Sequence, residues 1–320
     1  WNTSGEYLKV FETAGATTSA ATSAEGVITS GKAAFGVSFT ENTTATSFTY
    51  NAIYPASAWV DSDNKDVAAL KVITPSAQKP SATSFDGAAD LLIAFPETSA
   101  TQPQTLNVRF KRIVAIGKMT IKNLNSTENI TSIQFQAANK AVTGRSKVDL
   151  NNGTVTEYGY TNQAVDNVVL NYASSLGMKT GMTAYFTCFP FELAAGESFT
   201  VTVTTPSKIF TRTVTLPEGR TLAFTAGNSS SFNVDMATAT EKENDQLADG
   251  YYVAMVSQNS KYYALASTNT NSSTRLDAIE FAYNGTDEYI STANDSQIWT
   301  ITKTGDNYTI SNTNEYVSYS

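Results

Sequence analysis

Val201-Thr202-Val203-Thr204-Thr205-Pro206-Ser207-Lys208-Ile209-Phe210-Thr211-Arg212-Thr213-Val214-Thr215-Leu216 alternates β-branched or aromatic residues with hydroxyls on both sides of a Thr-Pro-Ser-Lys turn. A period of two sends successive side chains to opposite faces of an extended chain, so this stretch predicts an antiparallel hairpin with one polar face. The same texture recurs throughout the 320 residues: short β-branched and aromatic runs are separated by Gly, Asn, Pro and Ser, and very little repeats at helical spacing. Phe110-Lys111-Arg112-Ile113-Val114-Ala115-Ile116-Gly117-Lys118-Met119-Thr120-Ile121 predicts a long strand or a bent pair, with Gly117 free to allow a bulge. Asp166-Asn167-Val168-Val169-Leu170-Asn171-Tyr172 is the main helix candidate, and strand fits it equally well. The chain is expected to be all-β.

Composition narrows the chemistry. There is no His and one Cys, so His-dependent triads, imidazole metal sites and intrachain disulfides are excluded. Lys and Arg number 21 against 29 Asp and Glu, a net charge of −8, which disfavours a nucleic-acid partner because phosphate backbones need clustered positive charge. Only 16% of residues are charged while 41% are hydrophobic, and the polar remainder is mostly Thr, Ser and Asn, as suits an extracellular β-protein. No window approaches the ~18 apolar residues of a membrane helix. Cys188 lies in Tyr185-Phe186-Thr187-Cys188-Phe189-Pro190-Phe191, an apolar run that reads as buried strand and makes it a structural thiol. Trp1 is not an initiator Met, so an upstream segment is expected.

Four blocks follow from the pattern. Residues 1–111 and 112–236 each carry a set of strands. Residues 237–249 hold almost nothing apolar and read as an exposed linker, and residues 250–320, rich in Tyr and Asn, read as a separate module.

Few residues present themselves for catalysis. Asp61, Asp63, Asn64 and Asp66 look like the start of a calcium loop but lack the turn Gly and the distant Glu, so a solvated acidic loop is expected. Asp86 and Asp90 are read as capping or turn residues. Lys111-Arg112 and Glu218-Gly219-Arg220 are read as surface charges, because neither stands beside a nucleophile with a base. Ser30-Gly31-Lys32-Ala33 lacks the first Gly and the hydroxyl of a phosphate loop, and no cofactor is expected. Asn-x-Ser/Thr sequences are numerous, as chance supplies in so Asn- and Thr-rich a chain.

In the last block, Tyr252-Val253-Ala254-Met255 with Tyr262-Tyr263 is echoed by Tyr308-Thr309-Ile310-Ser311 with Tyr316-Val317, and between them stands Gln297-Ile298-Trp299-Thr300-Ile301. A strand pair, a Gln-x-Trp strand and a renewed pair resemble the opening of a ricin-type β-trefoil. Three such units close a trefoil and about one and a half are present, so either the fold continues past residue 320 or the likeness is local. Tyr262, Tyr263, Asn294 and Gln297 are the candidate ligand contacts, since Tyr stacks on sugar rings and amides bond hydroxyls. Trp299 is expected in the core.

The first two blocks resemble the fimbrillin-like proteins of Bacteroidetes, the subunits of type V pili. The resemblance rests on Trp1-Asn2-Thr3-Ser4-Gly5-Glu6-Tyr7-Leu8-Lys9-Val10-Phe11; on Tyr50-Asn51-Ala52-Ile53-Tyr54-Pro55; on Thr74-Pro75-Ser76-Ala77-Gln78-Lys79-Pro80; and on Phe85-Asp86-Gly87-Ala88-Ala89-Asp90-Leu91-Leu92. It continues in Phe110-Lys111-Arg112-Ile113-Val114-Ala115, where many relatives carry His in place of Arg112, then in the Tyr185 to Pro190 run and in Phe232-Asn233-Val234-Asp235-Met236. It implies two tandem transthyretin-like β-sandwiches followed here by a small C-terminal β module, partly trefoil-like, and no catalysis.

The resemblance also implies export through the periplasm as a lipoprotein, with a lipid-bearing Cys and a cleavage Arg expected upstream, and assembly with other pilin subunits by strand exchange at the cell surface. The extra final module favours a tip or minor fimbrial subunit that binds a host or polysaccharide glycan. The alternative is an outer-membrane lipoprotein that captures polysaccharide for a glycoside hydrolase.

Overall fold

The computed structural model describes residues 5–30, 32–61, 64–159, 164–244, 250–259, 261–266, 277–281, 295–304, 307–312 and 315–317. The regular structure is strand, and the helical elements among these residues are short 3-10 turns such as Ala56–Ala58 and Gly87–Ala89. Two compact units follow one another, residues 1–244 and 245–320.

The hairpin with the clearest alternation forms from Ser198–Thr204 and Lys208–Thr215, with Thr204 opposite Ile209. Phe199, Val201 and Val203 point into the core, while the hydroxyls of Thr200 and Thr213 meet at 3.0 Å on the other face. It belongs to a six-stranded sheet in the order Thr240–Glu243, Lys208–Thr215, Ser198–Thr204, Ser132–Gln136, Asn167–Asn171, Ala77–Gln78. Asn167–Asn171 is strand rather than helix, because alternate burial of Val168 and Leu170 serves a sheet facing one core.

Against this sheet lie Thr183–Cys188, Ala115–Lys122 and Ser229–Asp235, the last added in parallel, with the short ribbon Phe191–Leu193 and Leu222–Phe224 beside them. Between the layers Phe135 is ringed by Phe186, Phe199, Phe224 and Phe232 at centroid distances of 5.3 to 5.9 Å. Such aromatic pairs add about 0.5–1.5 kcal/mol each beyond their area burial.

A second sandwich precedes it. One sheet runs Thr17–Thr22, Lys9–Ala14, Phe48–Tyr54, Leu92–Ala94, Phe110–Arg112, with Glu97–Ser99 continuing beside Phe48–Tyr54. The facing sheet is Leu70–Thr74, Thr143–Asp149 and then Thr154–Tyr158 with Ala164–Val165. Chain from beyond residue 112 therefore completes the first core, where Val148 and Leu150 pack with Phe11, Ile53, Leu70, Val72 and Ile93. In return, Ala77–Gln78 joins the other sandwich, parallel to Asn167–Asn171.

Of three local expectations, one is narrowed to one of its alternatives and two change. The run from Phe110 to Ile121 is two strands in different sheets, Phe110–Arg112 and Ala115–Lys122, separated by the buried pair Ile113 and Val114. Gly117 makes no bulge; its register is regular on both sides, and a Cβ there would lie 2.1 Å from the Phe186 ring. Its missing side chain is the space that the ring occupies. Thr240–Glu243, inside the stretch read as linker, is an edge strand paired with Lys208–Thr215, because backbone hydrogen bonding needs no apolar side chains.

In the final unit, Gly250–Tyr252, Trp299–Thr304, Asn307–Asn312 and Glu315–Val317 form one sheet, and Met255–Gln258, Lys261–Ala266 and Asp277–Phe281 another. Trp299 is 2% exposed, in the core as expected.

The packing predicts two outcomes. Gly117→Ala should cost about 1–3 kcal/mol through overpacking against Phe186, read from urea unfolding; a neutral result would show that the ring can move aside. The buried Tyr172 hydroxyl has no hydrogen-bond partner among the described residues, and burial pushes its pKa up. The folded state then holds the proton that the unfolded chain releases, so stability falls as pH rises past about 10. Tyr172→Phe should gain about 1 kcal/mol at neutral pH and lose less on alkaline titration.

Candidate functional site

Residues from four of the motif stretches meet in one lock between the two sandwiches. Gln78 is fully buried and acts as a peptide group: its Oε1 accepts from the Thr187 N–H at 3.0 Å, and its Nε2 donates to the Thr187 carbonyl at 2.9 Å. The Thr187 hydroxyl donates to the Ala89 carbonyl at 2.8 Å. Asp86 accepts from the Ala88 N–H at 3.0 Å and from the Lys79 N–H at 2.8 Å, the capping role expected of it.

Asp90 departs from that expectation. It is 7% exposed and receives the Arg112 guanidinium through Nη2 at 2.8 Å and Nε at 2.5 Å, while Phe85 lies 5.5 Å from the guanidinium. Arg112 is thus a partly buried strut rather than a surface charge, and its hydrogen bond to Asp90 raises its pKa. In the acidic loop Asp61 pairs with Lys71 on the Leu70–Thr74 strand at 2.5 Å, and Asp66 accepts from the Ala68 N–H at 3.0 Å. Asp63 lies outside the described residues. Among those residues no group of three or more Asp, Glu or Cys could hold a metal.

Sequence reading passed over a second polar centre. Glu12, 5% exposed, accepts from the Tyr50 hydroxyl at 2.8 Å and from the Gln102 amide at 3.1 Å. Gln102 in turn donates to the Thr40 carbonyl and accepts from the Asn42 N–H. Burial and the neighbouring carboxylate raise the Tyr50 pKa, so the phenol stays a donor. The signal was faint, since the three side chains lie far apart in the chain.

With the interior committed to architecture, the sheet edges are the groups left to act. Thr240–Glu243 is guarded by charge, including an ion pair between Glu241 and Lys208. Thr154–Tyr158 carries Glu157, paired with Lys147 at 2.6 Å. Beyond Phe110–Arg112, itself doubly charged, the Val114 carbonyl accepts from the Gly227 N–H at 2.9 Å. Thr17–Thr22 differs. It reads Thr-Thr-Ser-Ala-Ala-Thr, with neither charge nor proline, and among the described residues it pairs with Lys9–Ala14 alone. Half-buried Ala20 stands opposite Phe11, so a small side chain is what shields the core there. A run this plain gives no strong pattern; its signal is the absence of the usual guards.

The candidate ligand residues of the final unit are dispersed. Tyr262 and Tyr263 are half-buried neighbours on Lys261–Ala266, opposite Phe281 and Glu280, so the pleat sends them to opposite faces. Gln297 is 1% exposed and its Nε2 donates to the Ile279 carbonyl at 3.2 Å, while the Trp299 indole donates to the Leu265 carbonyl at 2.9 Å. The Gln-x-Trp pair therefore staples one sheet of this unit to the other. Asn294 lies outside the described residues.

Comparisons with known proteins add the following. No protein-family profile matches the chain. No curated protein matches it either. Among solved structures it is similar to a candidate cell adhesion protein from Bacteroides uniformis, at 17% identity and a TM-score of 0.47, over 77% of this chain and 93% of the other. It is also similar to a candidate cell adhesion protein from Bacteroides fragilis, at 13% identity and a TM-score of 0.45, over 78% and 86%. A fimbrial protein from Bacteroides ovatus matches at 10% identity and a TM-score of 0.29, over 73% and 44%.

The lock makes a quantitative prediction. Gln78→Ala leaves the buried N–H and carbonyl of Thr187 without that partner, so urea unfolding should show a loss of about 2–4 kcal/mol. Gln78→Glu should be similarly poor, because a carboxylate cannot donate to the carbonyl. A loss under half a kcal/mol for both would mean that the two sandwiches are joined chiefly elsewhere.

Proposed function

We propose that this chain is a cell-surface fimbrial subunit of tip or minor type, an adhesin that assembles with other subunits by strand exchange and works without catalysis. The observation that carries the reading is the Thr17–Thr22 edge, which has neither charge nor proline, whereas the Thr240–Glu243 and Thr154–Tyr158 edges carry ion-paired charges. An edge of this kind offers a row of backbone donors and acceptors, and an incoming strand supplies both the hydrogen bonds and alternate side chains to cover the shallow core beside Ala20. The order and spacing of the fimbrillin-like motifs support it. So does the placing of those motif residues in a rigid frame, which is what a subunit bearing load between neighbours requires.

The same proposal places the protein outside the cell, exported through the periplasm with a lipid anchor upstream, and gives the final unit the ligand contact, with a glycan as target through the Tyr262 or Tyr263 face. A synthetic strand peptide with apolar residues at alternate positions should bind the folded protein and raise its Tm. At 100 times the Kd the gain is about 2.7 kcal/mol, or roughly 5–10 °C for a unit of this size. The double variant Thr17→Lys with Ser19→Lys charges an exposed edge without touching the core, and should abolish the shift. A peptide that leaves Tm unchanged, or a shift that survives in the charged variant, would remove the strand-exchange reading. Glycan arrays probed with the parent and with Tyr262→Ala and Tyr263→Ala test the ligand half separately.

A further inference from the structure

Arg109 and Lys111 bring two positive charges to one face of an edge strand. Phe110–Arg112 pairs antiparallel with Leu92–Ala94, which sets Lys111 opposite Ile93, and one step further along the pair the Phe95 N–H donates to the Arg109 carbonyl at 2.9 Å. Alternation then sends the side chains of Phe95, Arg109 and Lys111 to the same face. The Phe95 ring centroid lies 5.6 Å from the Arg109 guanidinium and 5.5 Å from the Lys111 ammonium. Arg112, between them in the alternation, belongs to the other face, where Asp90 neutralises it.

The cluster is set in place by the fold. From its strand Lys111 reaches across to the facing sheet, to the turn between Thr143–Asp149 and Thr154–Tyr158: a Cβ on Gly153 would lie 2.7 Å from Lys111 Cε and 2.8 Å from its Nζ. Gly153 has a φ of +61°, so glycine both makes this turn and leaves the room that the ammonium occupies. The acid of the turn is engaged within it, since Asp149 accepts from the Asn151 and Asn152 N–H groups and from the Asn152 side-chain amide.

No carboxylate answers these two cations. Among the described residues neither Arg109 nor Lys111 forms an ion pair or a side-chain hydrogen bond, and the contact that they share is the Phe95 ring. Glu97, two residues past Phe95, stands opposite Tyr50 and pairs with neither. An aromatic ring draws a cation through its quadrupole but leaves most of the N–H donors of a guanidinium or an ammonium open to an anion. The ring itself is 40% exposed, so apolar surface lies beside the charges.

We infer that this cluster binds an acidic sugar, a hexuronate, whose carboxylate takes N–H groups from Arg109 and Lys111 while a C–H face of its ring rests on Phe95. The three side chains together select this class. A small inorganic anion uses the cations and not the ring, and a neutral sugar uses the ring and neither cation. A phosphate polymer meets the net charge of −8 on the chain as a whole. A peptide carboxylate has the right charge but arrives on a flexible stem whose freedom is lost on binding, whereas a uronate carries its charge on the rigid ring that meets Phe95. The site belongs to the first compact unit, and Tyr262 and Tyr263 to the second, so it rests neither on strand exchange nor on a ligand of the final unit.

The test is calorimetric titration of the full chain with a trimer of galacturonic acid, with its methyl ester as the uncharged control and tri-glutamate as the peptide control. The acid binds saturably, and both controls bind about tenfold more weakly or worse, the weight of one charge-assisted contact. Raising salt from about 0.05 M to about 0.5 M weakens the acid and leaves the ester unchanged. Lys111→Met and Arg109→Gln each weaken the acid by about three- to tenfold, and Phe95→Ala weakens acid and ester alike. Lys179→Gln, which removes the same charge from an exposed position in the other sandwich, binds like the parent, and so does Tyr262→Ala. Equal binding of acid and ester, tri-glutamate as tight as the sugar acid, or no saturable binding of the acid overturns the proposal. So does undiminished binding by both Lys111→Met and Arg109→Gln, or an equal loss in Lys179→Gln.

Discussion

Five antiparallel residue pairs, Leu70 with Val148 through Thr74 with Gly144, bind an early strand to one found more than seventy residues later. The rest of the larger unit depends on this pairing. It delivers Val148 and Leu150 to a core otherwise made from the first hundred or so residues, and it brings Gln78 to the edge of Thr183–Cys188, where its amide takes the place of a missing strand. Neither sandwich is finished by its own stretch of chain. Disturbing one should be felt in the other, because they share strands and not merely a surface.

What could be read beforehand follows from the range of the interaction concerned. Alternation is local, so the hairpin at Ser198–Thr204 and Lys208–Thr215 and the burial of Cys188 were legible. The lock was not. Gln78, Asp90 and Arg112 each look like ordinary polar residues in the sequence, and become structural only when pairing sets Gln78 against Thr187 and Asp90 against Arg112. Gly117 shows the same limit: a glycine amid apolar residues suggested a bulge, whereas its reason is the Phe186 ring on the neighbouring strand. Thr240–Glu243 misled in the opposite direction, since hydropathy registers side chains and an edge strand can be held by its backbone alone.

The candidate ligand residues divide along similar lines. Trp299 was placed correctly because a large apolar ring in a strand context has few alternatives to burial. Gln297 was harder, since an amide can face a sugar hydroxyl or a backbone carbonyl with the same chemistry, and only the position of Ile279 decides. The result is a division of labour within the chain. Polar side chains with buried partners hold the frame, and among the described residues the plain Thr17–Thr22 edge stands apart from it.

One consequence attaches to the solitary sulfur. Cys188 has no exposed surface, and burial pushes its thiol pKa well above the ordinary value, so at neutral pH it is neither a nucleophile nor within reach of one. An odd cysteine on a surface would weld crowded copies together in oxidising surroundings. With Cys188 sealed in the sheet, this thiol can form no disulfide with another copy while the fold is intact. A joint between copies cannot run through Cys188.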